Sequence, residues 1–214
     1  MLKGPFLEPR SGKAKQLVIF LHGLGANGDD LFSLVPYFSD LFPDAYFSCP
    51  DAPFPCDMAP FGLQWFSLKD RSGEAIIKGI RNVSPILNEF IDSKLKELNL
   101  LDKDLVLVGF SQGAMLAMNV ALRRKNKIAG VIAYSGAIIG TELLATEIVS
   151  RPPICLLHGE QDQVVPFFAF SEALNALKKN NVDVQGYSRP DLGHGIDPAG
   201  IKIGLDFLKK VFNL

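Results

Sequence analysis

The chain has little with which to build a disulfide framework, a metal centre or a membrane anchor. Its three cysteines, Cys49, Cys56 and Cys155, are odd in number and include no C-x-x-C pair, which argues against stapling and for a reduced, cytoplasmic protein. Only His22, His158 and His194 are available to complete a zinc site, so neither metal nor cofactor is expected. Near the N-terminus, Lys3, Pro5, Pro9 and Arg10 precede just five apolar residues, Leu17–Leu21, too few for a secretory leader or a bilayer span. Charge of one sign is missing as well. Lys+Arg number 22 against Asp+Glu 23, a formal net charge of −1, so no strong field exists to gather nucleic acid or hold an anionic membrane. The densest basic cluster, Arg123, Arg124, Lys125 and Lys127, falls at the end of a helical pattern, where cations complement the helix C-terminus. No repeat, low-complexity tract or charged linker divides the sequence, and one domain over residues 1–214 is the simplest organisation.

What is present is a core. Apolar residues make up 48% of the 214 positions, enough for a full α/β domain. Apolar, β-rich runs recur at Leu17–Leu21, Ala45–Cys49, Leu105–Val108, Ile128–Tyr134, Ile154–Leu157 and Val182–Tyr187. Several are continuously apolar rather than alternating, the pattern of parallel strands covered on both faces. Helix-period stretches lie between them: Ile76, Ile80, Val83, Leu87, Phe90, Ile91, Leu95 and Leu98 form one stripe, with a kink expected near Pro85, and Met115–Leu122, Phe168–Leu177 and Ile203–Phe212 give others. Strands alternating with helices predict an α/β fold, a mostly parallel, doubly wound sheet with helices on both faces. Reactive groups in such sheets gather on loops beyond the strand C-terminal ends.

Gly109-Phe110-Ser111-Gln112-Gly113 joins one of these strands to a helix. In that context G-x-S-x-G makes a nucleophile elbow, with a serine forced into an unfavourable backbone conformation and its Oγ pushed toward solvent. Glycines are needed on either side because a Cβ would collide where strand end and helix start cross. A serine attacks only if a base takes its proton, normally a histidine oriented by a carboxylate. His22 ends a strand and precedes Gly23, which suits a loop-supporting hydrogen bond, and His158 directly follows a buried strand, which suits a structural role. His194 lies between two glycines in a late loop and fits the base. For the acid, Asp162 is preferred because a short loop carries it off a strand and Val164-Val165-Pro166 can pack beneath it; Glu160 is the nearest rival and Asp191 reads as an exposed turn. An oxyanion donor comes with the elbow, the N–H of Gln112, and the loop His22-Gly23-Leu24-Gly25-Ala26-Asn27-Gly28 qualifies to supply another. That loop lacks the G-K-[ST] ending and the G-x-G-x-x-G spacing of nucleotide cradles.

These pieces, with Pro50 through Pro55, Gln64-Trp65-Phe66-Ser67-Leu68, His158-Gly159, Asp162 through Pro166 and Gly193-His194, resemble the phospholipase/carboxylesterase family of α/β-hydrolases from about Leu17 to the C-terminus. The resemblance implies Ser111 as nucleophile, His194 as base and Asp162 as orienting acid. It also implies the N–H groups of Leu24 and Gln112 as oxyanion hole, with Leu63, Trp65 and Val165 bordering an acyl pocket. Asp51 departs from the family's frequent asparagine, and Gly195 from a polar residue after the histidine. The expected protein is a metal-free serine hydrolase of short- to medium-chain esters or thioesters, acting on a small-molecule acyl substrate without nucleic acid or stable membrane insertion. The rivals are a lysophospholipase at lipid surfaces, a non-catalytic acyl-binding protein, and a peptidase, for which no charged specificity element is identifiable. The apolar stretch Phe54–Phe66 suits either an acyl groove or a contact between two copies of the chain.

Overall fold

Side chains on a strand alternate between faces, so a continuously apolar strand must be buried on both. That rule organises the molecule, whose residues 2–214 are described by a computed structural model. In chain order the strands are β1 (Phe6–Leu7), β2 (Gln16–Leu21), β3 (Ala45–Ser48), β4 (Phe54–Pro55), β5 (Leu63–Gln64), β6 (Leu105–Phe110), β7 (Gly130–Tyr134), β8 (Ile154–Gly159) and β9 (Val184–Arg189). The helices are α1 (Gly28–Phe32), α2 (Val35–Ser39), α3 (Gly73–Leu98), α4 (Gln112–Arg123), α5 (Leu144–Glu147), α6 (Phe168–Lys179) and α7 (Pro198–Phe212). Seven strands form one sheet in the order β1-β3-β2-β6-β7-β8-β9, parallel except for β1, while β4 and β5 pair as a separate hairpin.

The alternation divides the central strands between two cores. Leu17, Ile19 and Leu21 of β2 and Leu105 and Leu107 of β6 pack with α3, α4 and α6 through Val83, Leu87, Leu116 and Leu177. Val18, Phe20, Val106 and Val108 face the other way, against Val35, Phe38, Phe207 and Leu208 of α2 and α7. Each such fully buried side chain contributes on the order of 1.5–3 kcal/mol. The expected doubly wound α/β architecture is therefore the observed one. At the sheet edge, β1 lies antiparallel on β3, with Phe6 stacked on Tyr46 at 5.6 Å between ring centroids.

Differences from the sequence reading are local. α3 continues through Pro85, which is exposed, and which leaves one carbonyl of the preceding turn without an intrahelical donor. β7 begins at Gly130 rather than Ile128, at the point where the Phe207 ring presses on the glycine. β8 and β9 extend further toward their C-terminal ends than predicted, to Gly159 and Arg189. The basic cluster after α4 is tied into ion pairs: Arg123 meets Glu147, and Arg124 meets Asp92 and Asp102. Among the described residues, no helix is long and apolar enough to cross a membrane.

α4 crosses tightly over the ends of β2 and β6. A Cβ on Gly113 would run into the carbonyl oxygens of Leu21 and His22, and one on Gly109 into the backbone of Ala114. Gly113→Ala should therefore cost about 1–3 kcal/mol, lowering Tm by roughly 3–10 °C. Gly73→Ala, where an added Cβ meets nothing within 4 Å, should leave Tm unchanged or slightly raised. Paired thermal melts check the contrast.

Candidate active site

Ser111 is squeezed between the last residue of β6 and the first of α4 at φ 53° and ψ −118°. A non-glycine residue there carries roughly 1–3 kcal/mol of strain. The surroundings impose it: Ser111 N–H donates to Tyr134 O at 2.9 Å, and its carbonyl accepts from Ala114 and Met115 at 3.0 and 3.1 Å. The residue as a whole is only 8% exposed. The reason is the loop after β2, for a Cβ added to Gly23 would sit 3.3 Å from Ser111 Cβ and 3.2 Å from the Phe110 ring.

The late loops deliver the other two groups. Asp162, buried beyond β8, accepts from His194 Nδ1 at 2.8 Å through Oδ2 and from the amides of Val164 and Val165, each at 2.9 Å, through Oδ1. Burial opposes ionisation of this carboxyl, but the hydrogen bonds from His194, Val165 and Val164 outweigh it and hold the pKa below the usual range. A carboxylate can only accept, so His194 Nδ1 carries the proton and Nε2 keeps its lone pair. Glu160 and Asp191 are both exposed, and neither bonds His194. The imidazole of His194 lies on the Phe110 ring at 4.8 Å between centroids, beside the residue that precedes Ser111. The structure thus brings the serine and the His–Asp pair to one sheet edge, while the Ser111 hydroxyl forms no hydrogen bond to His194 among the described residues. Such bonds are often long or misaligned before substrate binds.

His158 has the structural role that its place after a buried strand suggested. Its Nε2 donates to Val165 O at 2.8 Å and stands 3.3 Å from Asp162 Oδ2, so it braces the loop that holds the acid. Burial pushes its pKa down.

The glycine loop is fixed from several sides. Gly25 N–H donates to Leu63 O at 2.8 Å and Leu63 N–H to Ala26 O at 2.9 Å. Gly28 N–H donates to Asp51 Oδ1 at 2.8 Å, so the departure from asparagine at 51 leaves an acceptor in place. The N–H of Gln112, first in α4, has no intrahelical acceptor, and that of Leu24 donates to none of the described residues. Both predicted oxyanion donors are therefore uncommitted.

Of the three predicted pocket residues, Leu63 is half-buried and acts through its main chain. Val165 is nearly buried and packs with Ala137 and Ala169. Trp65 is 0% exposed, with its indole N–H donating to His22 O at 2.9 Å beneath the loop. A cleft of about 420 Å³ borders Phe54, Gln64, Trp65 and Phe66, and its walls include Lys78 and Asn82 of α3 and not Ser111. Phe54, Met58 and Phe61 are exposed on the hairpin connection.

A strained serine at a strand-to-helix turn, in a parallel sheet whose next loops supply an Asp-bonded histidine, defines an α/β-hydrolase. The family model for phospholipase/carboxylesterases matches residues 2–212, and the chain belongs to that family. Esterase PE8, a solved structure, superimposes with a TM-score of 0.94 at 38% identity, covering 98% of this chain and 99% of that one. Esterase YpfH of Escherichia coli is 28% identical over 92% of this chain and 83% of its own length. Acyl-protein thioesterase 1 of Gibberella zeae is 25% identical over 96% of this chain and 94% of its own. The protein is thus an enzyme of the carboxylesterase and acyl-thioesterase class.

His22 and His158 are buried and have pKa values below the ordinary 6.5, burial being the main cause in both. Below pH ~6.5 the unfolded chain binds protons at these rings that the folded chain does not, so stability falls as pH drops from about 6.5 toward their folded values. Urea midpoints should be level above pH ~7 and decline between about 6.5 and 5; a flat profile across that window contradicts the assignment of two buried neutral rings.

Proposed function

We propose that the enzyme hydrolyses short- to medium-chain acyl esters or thioesters through an acyl-enzyme on Ser111. The observation that carries the reading is the 2.8 Å bond between Asp162 and His194 Nδ1, formed beside the strained serine. It leaves Nε2 as the one ring nitrogen able to take a proton. In this scheme His194 Nε2 removes the Ser111 hydroxyl proton as Oγ bonds to the acyl carbon. The carbonyl electron pair moves onto oxygen and is met by the N–H groups of Leu24 and Gln112. When the tetrahedral species collapses, the bond to the leaving alcohol or thiol breaks, and imidazolium 194 protonates the leaving group. Water, deprotonated by the same nitrogen, then attacks the acyl-enzyme and releases the acid and Ser111. Asp162 stabilises the transient imidazolium, and its depressed pKa keeps it ionised throughout. The esterase and thioesterase names of the relatives support the substrate class.

Ser111→Ala should abolish both turnover of p-nitrophenyl butyrate and covalent labelling by a fluorophosphonate; a variant that still labels places the nucleophile elsewhere. Asp162→Asn should fold and lose about 10³–10⁴-fold in kcat, as other triads do when the histidine tautomer is wrong. Rates across a series of p-nitrophenyl esters of increasing chain length report the acyl preference.

A further inference from the structure

We propose that His22 is a positioning residue for hydrolysis: its ring N–H fixes the direction of the Gly23–Leu24 peptide and thereby aims the Leu24 N–H at the developing oxyanion. The inference rests on the acyl-hydrolase reading of Ser111.

His22 ends β2 and is 0% exposed. Its two ring nitrogens meet backbone groups of opposite demand. Ala52 N–H donates to Nε2 at 3.0 Å, so Nε2 must offer a lone pair, while Gly23 O lies 2.8 Å from Nδ1, so Nδ1 must carry the proton. One neutral tautomer satisfies both, and an imidazolium would set two donors against each other at Ala52.

The effect on Leu24 follows from peptide geometry. The bonds here are trans, and in a planar trans peptide the C=O and N–H point in opposite directions. Holding the Gly23 oxygen on the imidazole therefore turns the Leu24 N–H away from that ring. The preceding peptide is held in the same manner, since Trp65 Nε1–H donates to His22 O at 2.9 Å. The two peptide planes that flank Gly23 are thus each pinned at the oxygen by an aromatic-ring N–H. A longer third bond, from Ala26 N–H to Gly23 O at 3.3 Å, adds to them, while Gly23 itself has no side chain to restrict φ and ψ. It cannot easily be replaced, for it lies against Phe110 and Ser111.

The same network reaches the second donor. The Gln112 side chain accepts from Trp65 N–H at 2.7 Å and donates to Phe66 O at 2.8 Å. Residue 112 therefore grips, through its amide side chain, the segment whose indole holds the first loop. His22, Trp65 and Gln112 are each almost wholly buried, and together they connect the backbone amides of Leu24 and Gln112 through direct hydrogen bonds.

The test compares wild type with His22→Ala, His22→Asn and His22→Gln. An Asn amide nitrogen can occupy the place of Nδ1 and donate to Gly23 O; the longer Gln amide reaches toward the place of Nε2 instead. Two quantities are read: kcat and KM for p-nitrophenyl butyrate, and the inhibition constant of an alkyl trifluoromethyl ketone, whose serine adduct carries a tetrahedral oxyanion. His22→Ala should lose about tenfold to a hundredfold in kcat, part of what deleting an oxyanion donor costs, with KM within about threefold. Affinity for the ketone should fall by a similar factor. His22→Asn should recover most of both, and His22→Gln should not. Trp65→Phe, which deletes only the indole N–H, should shift kcat and ketone affinity in the same direction, and it decides the matter where the alanine variant does not fold. Equal losses in the Asn and Gln variants, or kcat retained in folded His22→Ala, overturn the proposal. A wild-type enzyme that neither turns over the ester nor takes a fluorophosphonate label overturns the acyl-hydrolase reading, and this inference with it.

Discussion

The crossing of α4 over the ends of β2 and β6 is the constraint on which the site depends. Helix and strands approach so closely that only glycine fits at 109 and 113, and the chain between them has no room to leave the sheet by an ordinary turn. Ser111 takes up the difference by adopting a left-handed backbone, φ 53°, that its side chain disfavours. Three backbone hydrogen bonds and two packed cores offset that strain. One result is a helix whose first N–H, that of Gln112, directly follows the serine and has no acceptor among the described residues. Another is that the hydroxyl's position is inherited from the sheet rather than from a mobile loop.

Around this fixed point, polar groups are buried only where their hydrogen-bonding demand is met. Asp162 collects two amides and an imidazole. His22 and His158 are held neutral by their surroundings, each with its ring proton committed to a carbonyl. His194 differs from both: its side chain keeps some exposure, and the nitrogen facing away from Asp162 has no protein donor assigned to it. Two of the three histidines therefore stabilise loops, and the third is left with a basic site. Burial and partner identity sort them, since all three begin with the same chemistry.

Much of this was legible in the sequence because it follows from local rules. Continuous apolar runs gave the central strands, and G-x-S-x-G between a strand and a helix marked the turn. The late Asp162 and His194, placed on loops after β8 and β9, were separable from their rivals by strand context. What escaped was set by contacts between distant segments. Trp65 reads as a pocket-bordering aromatic, and its bonds to His22 and Gln112, residues 43 and 47 positions away, could not be read from local sequence. The short elements β1, β4, β5 and α5 have too few residues to show a period.

The two-residue strand β1 has a consequence out of proportion to its length. Without it, the outer border of β3 would present unpaired N–H and C=O groups beside the aromatic face of Tyr46, an invitation to self-association through cross-molecule strand pairing. Phe6 and Leu7 close that border with an antiparallel ladder on β3. The same arm reaches past the sheet border: Cys49 and Asp51 N–H donate to Pro5 O and Lys3 O, so the residues that cap the edge also back the Asp51 carboxylate that holds Gly28 in the glycine loop.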